Sequence, residues 1–195
     1  MRRLRSVVVA ILLLSALACS DNHKAAPPRA STASTISADE VALCDEGSLN
    51  VHPIKGVAIP GAPPGHHPML FAFGNLGAKP CAVEGYPRVQ LQGQGGVIPF
   101  IVVDGKGGSV SGAAPTRIAI PVNHEVFVLL DKADCSTSAG IAPGVISLAV
   151  QDATTGDHLL VPPDPKFLYC GPGDSGSTIF VSPFVDSAAK AVATS

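Results

Sequence analysis

Short apolar runs separated by turn residues dominate the chain from about residue 42 onwards. One of them, 97–103, is nearly all apolar, which is typical of a strand buried on both faces or at the centre of a sheet. No segment shows a sustained helical period, and the runs recur about every 8–12 residues, so the pattern favours a β-sandwich. The strands that it predicts cover residues 49–54, 67–74, 81–91, 97–103, 117–120, 125–130, 146–150, 158–161 and 178–181.

Turn-forming residues support the same all-β class. The 195 residues include 20 Gly and 18 Pro, a content that excludes a helical bundle or a coiled coil. Glycine-rich turns are predicted at 93–96 and 104–108, and a hairpin turn at 154–157. The length suits one domain. We place it at 42–184, followed by a C-terminal tail over 185–195 that frays or forms a helical turn.

The first eighteen residues differ from the rest and have the pattern of an export signal. Three Arg residues precede an apolar run that continues to Ala18. The run has the length of a secretory signal and is too short for a permanent membrane span. It ends in Ser-Ala-Leu-Ala followed by Cys19, which resembles the cleavage box of bacterial lipoproteins. We therefore expect a lipoprotein signal peptide over 1–18, cleavage before Cys19, and attachment of a diacylglyceryl group to its thiol.

Acylation of Cys19 would hold the mature chain at the cell membrane on its extracytoplasmic side, because two or more acyl chains give stable anchoring. The alternative is an ordinary secretory signal cut near Ala18, which would yield a secreted protein. The paired Arg2 and Arg3 leave twin-arginine export open as a second route. Residues 19–41 then comprise the lipidated Cys and a flexible linker rich in Ser, Thr, Ala and Pro.

The charge balance argues against a nucleic-acid partner. The formal net charge is −2, and loss of the three leader Arg residues lowers the Lys and Arg total from 13 to 10 against 15 acidic residues. The mature chain would therefore carry about −5, so acyl chains and not a basic patch would hold it at an anionic membrane. The same balance is wrong for a protein that neutralises phosphates. Trp is absent and aromatic residues are 5%, which argues against stacking platforms for bases or sugars.

Four further Cys residues predict two disulfides, because an even count in an exported protein is typical of a disulfide framework. Four Cys allow three connectivities. We predict Cys44–Cys81 and Cys135–Cys170, with separations of 37 and 35 residues, because each bond then joins the start of one half of the domain to its end. Zinc is the weaker interpretation, since no two of these residues have the close C-x-x-C spacing.

A short motif follows the second predicted strand. Asn75-Leu76-Gly77 precedes Cys81 and then the segment Gly85-Tyr86-Pro87, while an earlier Cys, a later Cys pair and a closing strand complete an ordered set over about residues 42–184. This set resembles domain of unknown function 4232, a family of secreted and lipid-anchored bacterial proteins, chiefly actinobacterial. Many relatives have Thr where Leu76 stands. The resemblance implies an immunoglobulin-like antiparallel β-sandwich with no assigned activity.

The motif itself has a structural interpretation. Asn75 and Gly77 can adopt positive φ in a turn after their strand, since Asn and Gly tolerate that backbone region. The ring of Tyr86 could cover the neighbouring disulfide, with Pro87 fixing the chain that follows. We therefore expect the motif to make the fold and not to bind a ligand.

One segment, Gly173-Asp174-Ser175-Gly176-Ser177, resembles the nucleophile segment of chymotrypsin-like serine proteases. A nucleophilic serine needs a histidine base and an orienting acid, and no Thr-Ala-x-His segment lies upstream. The part of the chain after Ser175 is also too short for the strands that line a specificity pocket in that fold. We interpret the segment as a tight turn before the last strand, and we expect that Ser175 is not a nucleophile.

Metal and cofactor motifs are weak. The adjacent residues His66 and His67 could bind a metal, but neighbours in an extended chain point to opposite faces, and a Pro-Pro-Gly loop precedes them. The glycines of 105–108 lack the Lys-Ser/Thr and the helix of a phosphate-binding loop. We predict no metal and no cofactor. The other residues considered as metal or calcium ligands are His52, His124, Asp131, Asp134 and Asp152.

Together these features predict a lipid-anchored, extracytoplasmic β-sandwich that is a non-catalytic binding or envelope-interaction module. Its expected partners are the membrane, through Cys19, and a protein or small-molecule ligand of unknown identity. Two alternatives stay open: a secreted hydrolase that uses Ser175, and a purely structural envelope protein. A binding module predicts a concave or apolar patch between loops, whereas the hydrolase predicts a His beside Ser175.

Overall fold

The computed structural model describes residues 37–137, 140–150, 159–162 and 164–193. Their regular secondary structure is almost entirely β-strand. The leader, Cys19, most of the linker and the predicted turn at 154–157 lie outside these residues. Besides three 3-10 turns, at Ala38–Glu40, Glu46–Ser48 and Ser175–Ser177, the described part contains one short helix, α1 (Ala188–Ala191). Its strands are β1 (Leu49–Pro53), β2 (Met69–Asn75), β3 (Cys81–Val83), β4 (Arg88–Gly93), β5 (Gly96–Ile98), β6 (Ile101–Asp104), β7 (Ile118–Ile120), β8 (Glu125–Asp131), β9 (Val145–Ala149), β10 (Leu159–Val161) and β11 (Thr178–Val181).

The strands belong to three sheets. The largest has the order β1-β2-β8-β11-β6, the second has the order β10-β9-β4-β5, and β3 pairs with β7 in a third. Every pair is antiparallel except β11 with β6, which is parallel. The all-β, largely antiparallel class predicted from the sequence is therefore confirmed.

The largest sheet is buried on both faces of its central strands. Along β2, Phe71 and Phe73 point into a main core, which they share with residues of the second sheet such as Leu148. Leu70 points the other way into a smaller cluster, the outer core. Since successive side chains alternate between faces, β8 and β11 do the same. Segments outside the strands cover the outer face, and their buried residues in the outer core are Val110, Val185 and Ala191.

Both predicted disulfides are present. Cys44 is bonded to Cys81 with a Cα–Cα distance of 4.8 Å, and Cys135 is bonded to Cys170 with a Cα–Cα distance of 5.2 Å. Both distances lie in the range usual for disulfides. Two such bonds indicate an oxidising, extracytoplasmic environment. None of the helices in the described part of the chain has the length and apolar character to cross a membrane.

The predicted strand at 81–91 is divided into β3 and β4, which lie in different sheets. The apolar run at 97–103 also differs from its prediction. It is split into β5 and β6, which lie at edges of two different sheets. Val97 is 60% exposed and Ile101 is 54% exposed, so this run is not a buried central strand. Pro99 separates the two strands, and a residue without a backbone N–H cannot continue a ladder. The two-sided burial that the run predicted occurs in β2 and β8 instead.

The turn after β2 does not use the positive φ that Asn75 and Gly77 could adopt. Neither Asn75 nor Gly77 has positive φ; in the described chain Asn123 is the non-glycine residue that does. The side chain of Asn75 closes the turn: its Oδ1 accepts from the Gly77 N–H at 2.9 Å, and its Nδ2 donates to the carbonyls of Lys79 and Ile120, each at 2.9 Å. Because the side chain makes the turn, the backbone does not need the left-handed region.

Residues 185–193 are packed against the domain. Val185 pairs with Phe127 of β8, and Val192 pairs with Val110. Ala191, on α1, is fully buried. The helical turn predicted for this segment is present. Residues 185–193 are packed and not frayed.

Candidate functional site

A groove lies over the outer core, between the 57–61 loop and the C-terminal segment that contains α1. Its volume is about 530 Å³, within the range of about 300–1,000 Å³ that is typical of small-molecule sites. Leu70 of β2 lies against it from the largest sheet. The other lining residues are Val57, Ala58, Ile59, Pro60, Gly61, Ala188, Ala189, Val192 and Ala193.

The side chains that line the groove are all apolar. The lining contains no ionisable side chain and no side-chain hydrogen-bonding group, and half of its residues are Ala or Gly. Small side chains leave space that larger ones would fill, which is why a cavity remains between two segments that both pack on the outer core. The groove can therefore receive an apolar group but has no side chain suited to acid–base or nucleophilic chemistry.

The C-terminal wall of the groove is held by hydrogen bonds to residues 109–111. The backbone N–H of Ala193 donates to the Ser109 carbonyl at 2.8 Å, and the N–H of Ser111 donates to the Ala191 carbonyl at 2.9 Å. The hydroxyl of Ser111 donates to the Lys190 carbonyl at 2.6 Å. These bonds fix α1 relative to the sheet, so this wall belongs to the folded domain.

The charged side chains nearest to the lining in sequence belong to Lys55, Asp186 and Lys190. Lys55 follows Ile54, whose N–H donates to the carbonyl of the lining residue Leu70 at 2.8 Å. Lys190 follows the lining residue Ala189 on α1, and its Nζ is 2.7 Å from the carboxylate of Asp186. Both members of this pair are more than half exposed. Two cations and one anion therefore flank an uncharged groove.

A second notable feature is a polar cluster centred on Asp131, at the end of β8. This carboxylate is fully buried, and its Oδ2 is 3.0 Å from Nδ1 of His66 and accepts from the Ser109 N–H at 2.5 Å. Gly108, with φ of 56°, passes so close to Asp131 and His66 that a Cβ there would collide with the carboxylate. The sequence did not predict this arrangement, because residues 66, 109 and 131 are far apart in the chain.

The polar cluster extends to His67, Lys132 and Asp134. His67 Nε2 is 2.5 Å from Asp134 Oδ1, and this hydrogen bond lowers the pKa of the exposed Asp134 carboxyl. Lys132 is fully buried, and its Nζ donates to the Ala133 carbonyl at 2.6 Å. Burial lowers the pKa of Lys132, and the nearby carboxylates oppose that shift.

The segment that resembles a protease nucleophile forms the 3-10 turn before β11. Asp174 caps it by accepting from the Gly176 N–H at 2.8 Å, and the Ser177 hydroxyl donates to the Gly171 carbonyl at 2.7 Å. A Cβ on Gly176 would lie 2.5 Å from the Cys170 sulfur, so this position needs glycine. Ser175 itself is exposed. That it is not a nucleophile stays a prediction.

The remaining candidate ligands are dispersed. His52, on β1, lies 3.6 Å from Glu125, and His124 is exposed in the loop before β8. Asp152 lies outside the described residues. Across the described ranges, no three or more His, Cys, Asp or Glu side chains are grouped so that they could hold a metal ion.

The glycines of the 104–108 turn serve packing. A Cβ on Gly107 would collide with the ring of Phe180 on β11, so this glycine permits a close approach of the turn to the sheet. Gly105 has φ of 92°, a backbone region that suits glycine.

Sequence reasoning missed the groove. Its residues come from a stretch between β1 and β2 in which the sequence predicts no strand or helix, and from the Ala-rich segment for which the sequence predicts a tail. The available signal was the combination of apolar residues at 57–60 with the Ala-rich run at 188–193, since small apolar residues outside a strand pattern still need a surface to pack on.

Comparison with known proteins adds no relative. No protein-family model, no curated protein and no solved structure matches the chain. The resemblance to domain of unknown function 4232 therefore rests on the motif residues alone and stays a prediction.

Proposed function

We propose that this protein is a lipid-anchored, extracytoplasmic binding module, and that the groove between the 57–61 loop and α1 binds an apolar ligand. The observation that carries the proposal is the groove itself, which has the size of a small-molecule site and an uncharged lining. A concave apolar patch between loops is the feature that we expect of a binding module. The proposal assigns no catalytic role to Ser175; labelling of that residue by a fluorophosphonate probe would contradict this part.

Ligand binding is testable by thermal unfolding with a neutral apolar probe, dodecanol. A ligand that binds only the folded state, at about ten times its Kd, should raise Tm by about 4 °C for a protein of this size. Ala189→Trp should abolish the shift, because the new side chain occupies the groove from its exposed wall. Leu160→Trp is the matched control, since Leu160 is exposed on the edge strand β10.

Two results would overturn the binding proposal. One is the absence of any dodecanol-dependent shift in the native chain. The other is an equal shift in native and Ala189→Trp proteins, which would place binding elsewhere. A purely structural envelope protein predicts the first of these results.

The anchor is proposed from the cleavage box that ends at Cys19. Cys19→Ser should release the protein from the membrane fraction or block its processing, while Ser20→Ala, next to it, should leave both unchanged. Membrane association and cleavage that persist in Cys19→Ser would favour a different mode of attachment.

We also propose that the two larger sheets form an immunoglobulin-like sandwich. The support is that strands of both sheets contribute to one main core, with Phe71 and Val128 from the first, and Leu91 and Ile146 from the second. A crystal structure in which these sheets close into a single barrel would contradict this proposal.

A further inference from the structure

We propose that the ligand of the groove is an amphiphile with an alkyl chain and an anionic head group, whose alkyl chain lies in the groove and whose head lies beside Lys55 and Lys190. This inference rests on the proposed function that the groove binds an apolar ligand. It adds the chemical class of that ligand.

The lining determines the chemistry of the buried part. Any polar atom placed between the 57–61 loop and α1 would lose its water and find no side-chain partner, which costs free energy. A flexible alkyl chain has no such atoms and can follow an irregular wall of small side chains such as Ala58 and Ala189. The buried part is therefore a hydrocarbon.

The volume determines how much hydrocarbon fits. If a methylene group takes roughly the 30 Å³ of a water molecule, a cavity of about 530 Å³ holds about seventeen such groups. One chain of twelve to sixteen carbons fits this space.

The flanking charges determine the head group. Within the described residues, Lys55 forms no ion pair and Lys190 pairs only with Asp186, so these three residues together carry a net positive charge. The rest of the chain is net negative. In this proposal, a negatively charged head group at the open side of the groove is attracted by the two lysines, and above all by Lys55, which has no carboxylate partner among the described ion pairs.

The position of Lys55 supports this placement. The residue follows Ile54, whose N–H is bonded to the lining residue Leu70, and it precedes Gly56, whose φ of 74° turns the chain into the groove wall. Lys55 is exposed. Its ammonium group can therefore stay in water while it contacts an anionic head group at the end of the ligand's alkyl chain. Long cationic side chains behave in this way at apolar boundaries.

The test compares twelve-carbon probes that differ only in their heads, at concentrations below those at which they form micelles. Isothermal titration of the full-length Cys19→Ser chain, which carries no acyl chains of its own under the proposed anchoring, measures Kd for dodecanoate, dodecyl phosphate, dodecanol and dodecyltrimethylammonium. We expect both anions to bind about fivefold more tightly than dodecanol at low ionic strength, with the preference reduced by salt. The cation should bind most weakly.

Variants then assign the preference to the two lysines. Lys55→Gln combined with Lys190→Gln should weaken dodecanoate binding about fivefold and leave dodecanol binding unchanged. Lys79→Gln, an exposed lysine after the far end of β2, is the matched control and should change neither. Dodecanoate and dodecyl phosphate together distinguish a general anion preference from one for a carboxylate.

Each other outcome overturns the inference in a recognisable way. Equal binding of dodecanol and dodecanoate, unchanged by the lysine variants, would leave the groove as an apolar site but refute an anionic head. Loss of all binding would refute the proposed function as well. A dimer that dissociates on Ala189→Trp would show that a second copy of the chain covers the groove.

Discussion

The groove and the polar cluster are two regions of the molecule that differ in how their side chains pack and bond. The groove is lined by small apolar side chains that leave a volume unfilled. The polar cluster contains the ionisable side chains that most resemble a catalytic or metal-binding site, but these side chains are hydrogen-bonded within the cluster. Asp131 is bonded to His66 and to the Ser109 N–H, and His67 is bonded to Asp134. A residue's chemical type is therefore a poor guide to a site here.

The two regions are also physically connected. Ser109 donates its N–H to Asp131 in the polar cluster, and its carbonyl accepts from Ala193 in the wall of the groove. The polar cluster thus helps to position a wall of the proposed binding site. Perturbing the polar cluster should reduce stability more than perturbing the groove, and the following predictions test this ordering.

The largest effect is expected from removing a disulfide. Cys135→Ala with Cys170→Ala should lower the free energy of unfolding by about 4 kcal/mol, because the bond closes a loop of 35 residues in the unfolded chain. Denaturant titration measures this loss. Cys44→Ala with Cys81→Ala, with a loop of 37 residues, is the matched comparison and should lose nearly the same amount. A clearly unequal pair of losses would show that packing in the folded state, and not loop closure, sets the difference.

A smaller loss is expected when the buried carboxylate of the polar cluster is removed. Asp131→Ala leaves the His66 ring and the Ser109 N–H without their acceptor, which should cost about 2 kcal/mol. It should also weaken dodecanol binding, since Ser109 supports the groove wall. Asp131→Asn, which retains an acceptor oxygen, is the control and should lose less. Undiminished dodecanol binding in a folded Asp131→Ala protein would separate the two regions.

The next effect is a pH dependence at Asp174. The hydrogen bond from Ser136 and the backbone N–H of Gly176 lower the pKa of this carboxyl below its ordinary value of 3.8. A folded-state pKa below the unfolded one means that the carboxylate contributes stability above pH 3.8, and that the contribution is lost as the pH falls through the folded-state pKa. Asp174→Ala should therefore have a lower Tm than the native chain at pH 7, and the difference should shrink towards pH 3. A difference that is constant with pH would contradict this account.

The smallest effect on stability is expected in the groove. Ala189 is exposed on α1, so Ala189→Trp should change the free energy of unfolding by less than about 0.5 kcal/mol, as surface substitutions usually do, while it removes dodecanol binding. The chain contains no other Trp, so the fluorescence of this residue alone reports whether it is shielded from water. A loss of several kcal/mol would mean that the groove is part of the packed core and not a free site.

Much of the local structure could be predicted from the sequence. The apolar runs located β1, β2, β8, β9 and β11 to within about two residues, because side-chain alternation and turn residues are local properties. The pairing of four Cys followed from their order along the chain. The wrong parts were the continuous strands predicted over 81–91 and 97–103, which are divided into β3 and β4 and into β5 and β6, and the two-sided burial of 97–103. Pro99 is a local cause of the second division, but the pairings of β3 with β7 and of β6 with β11 join segments that are far apart in the sequence.

By itself, then, the sequence determined the all-β class, the disulfide pairs and the expectation of an acylated Cys19. Only the tertiary structure decided which strands are buried on both faces, that Asp131 meets His66, and that the 57–61 loop faces α1 across an empty volume. The physical reason is that strand propensity, turn chemistry and export signals are written in neighbouring residues. A cavity, in contrast, is the space between segments about 130 residues apart, and it exists only once both are packed on one sheet.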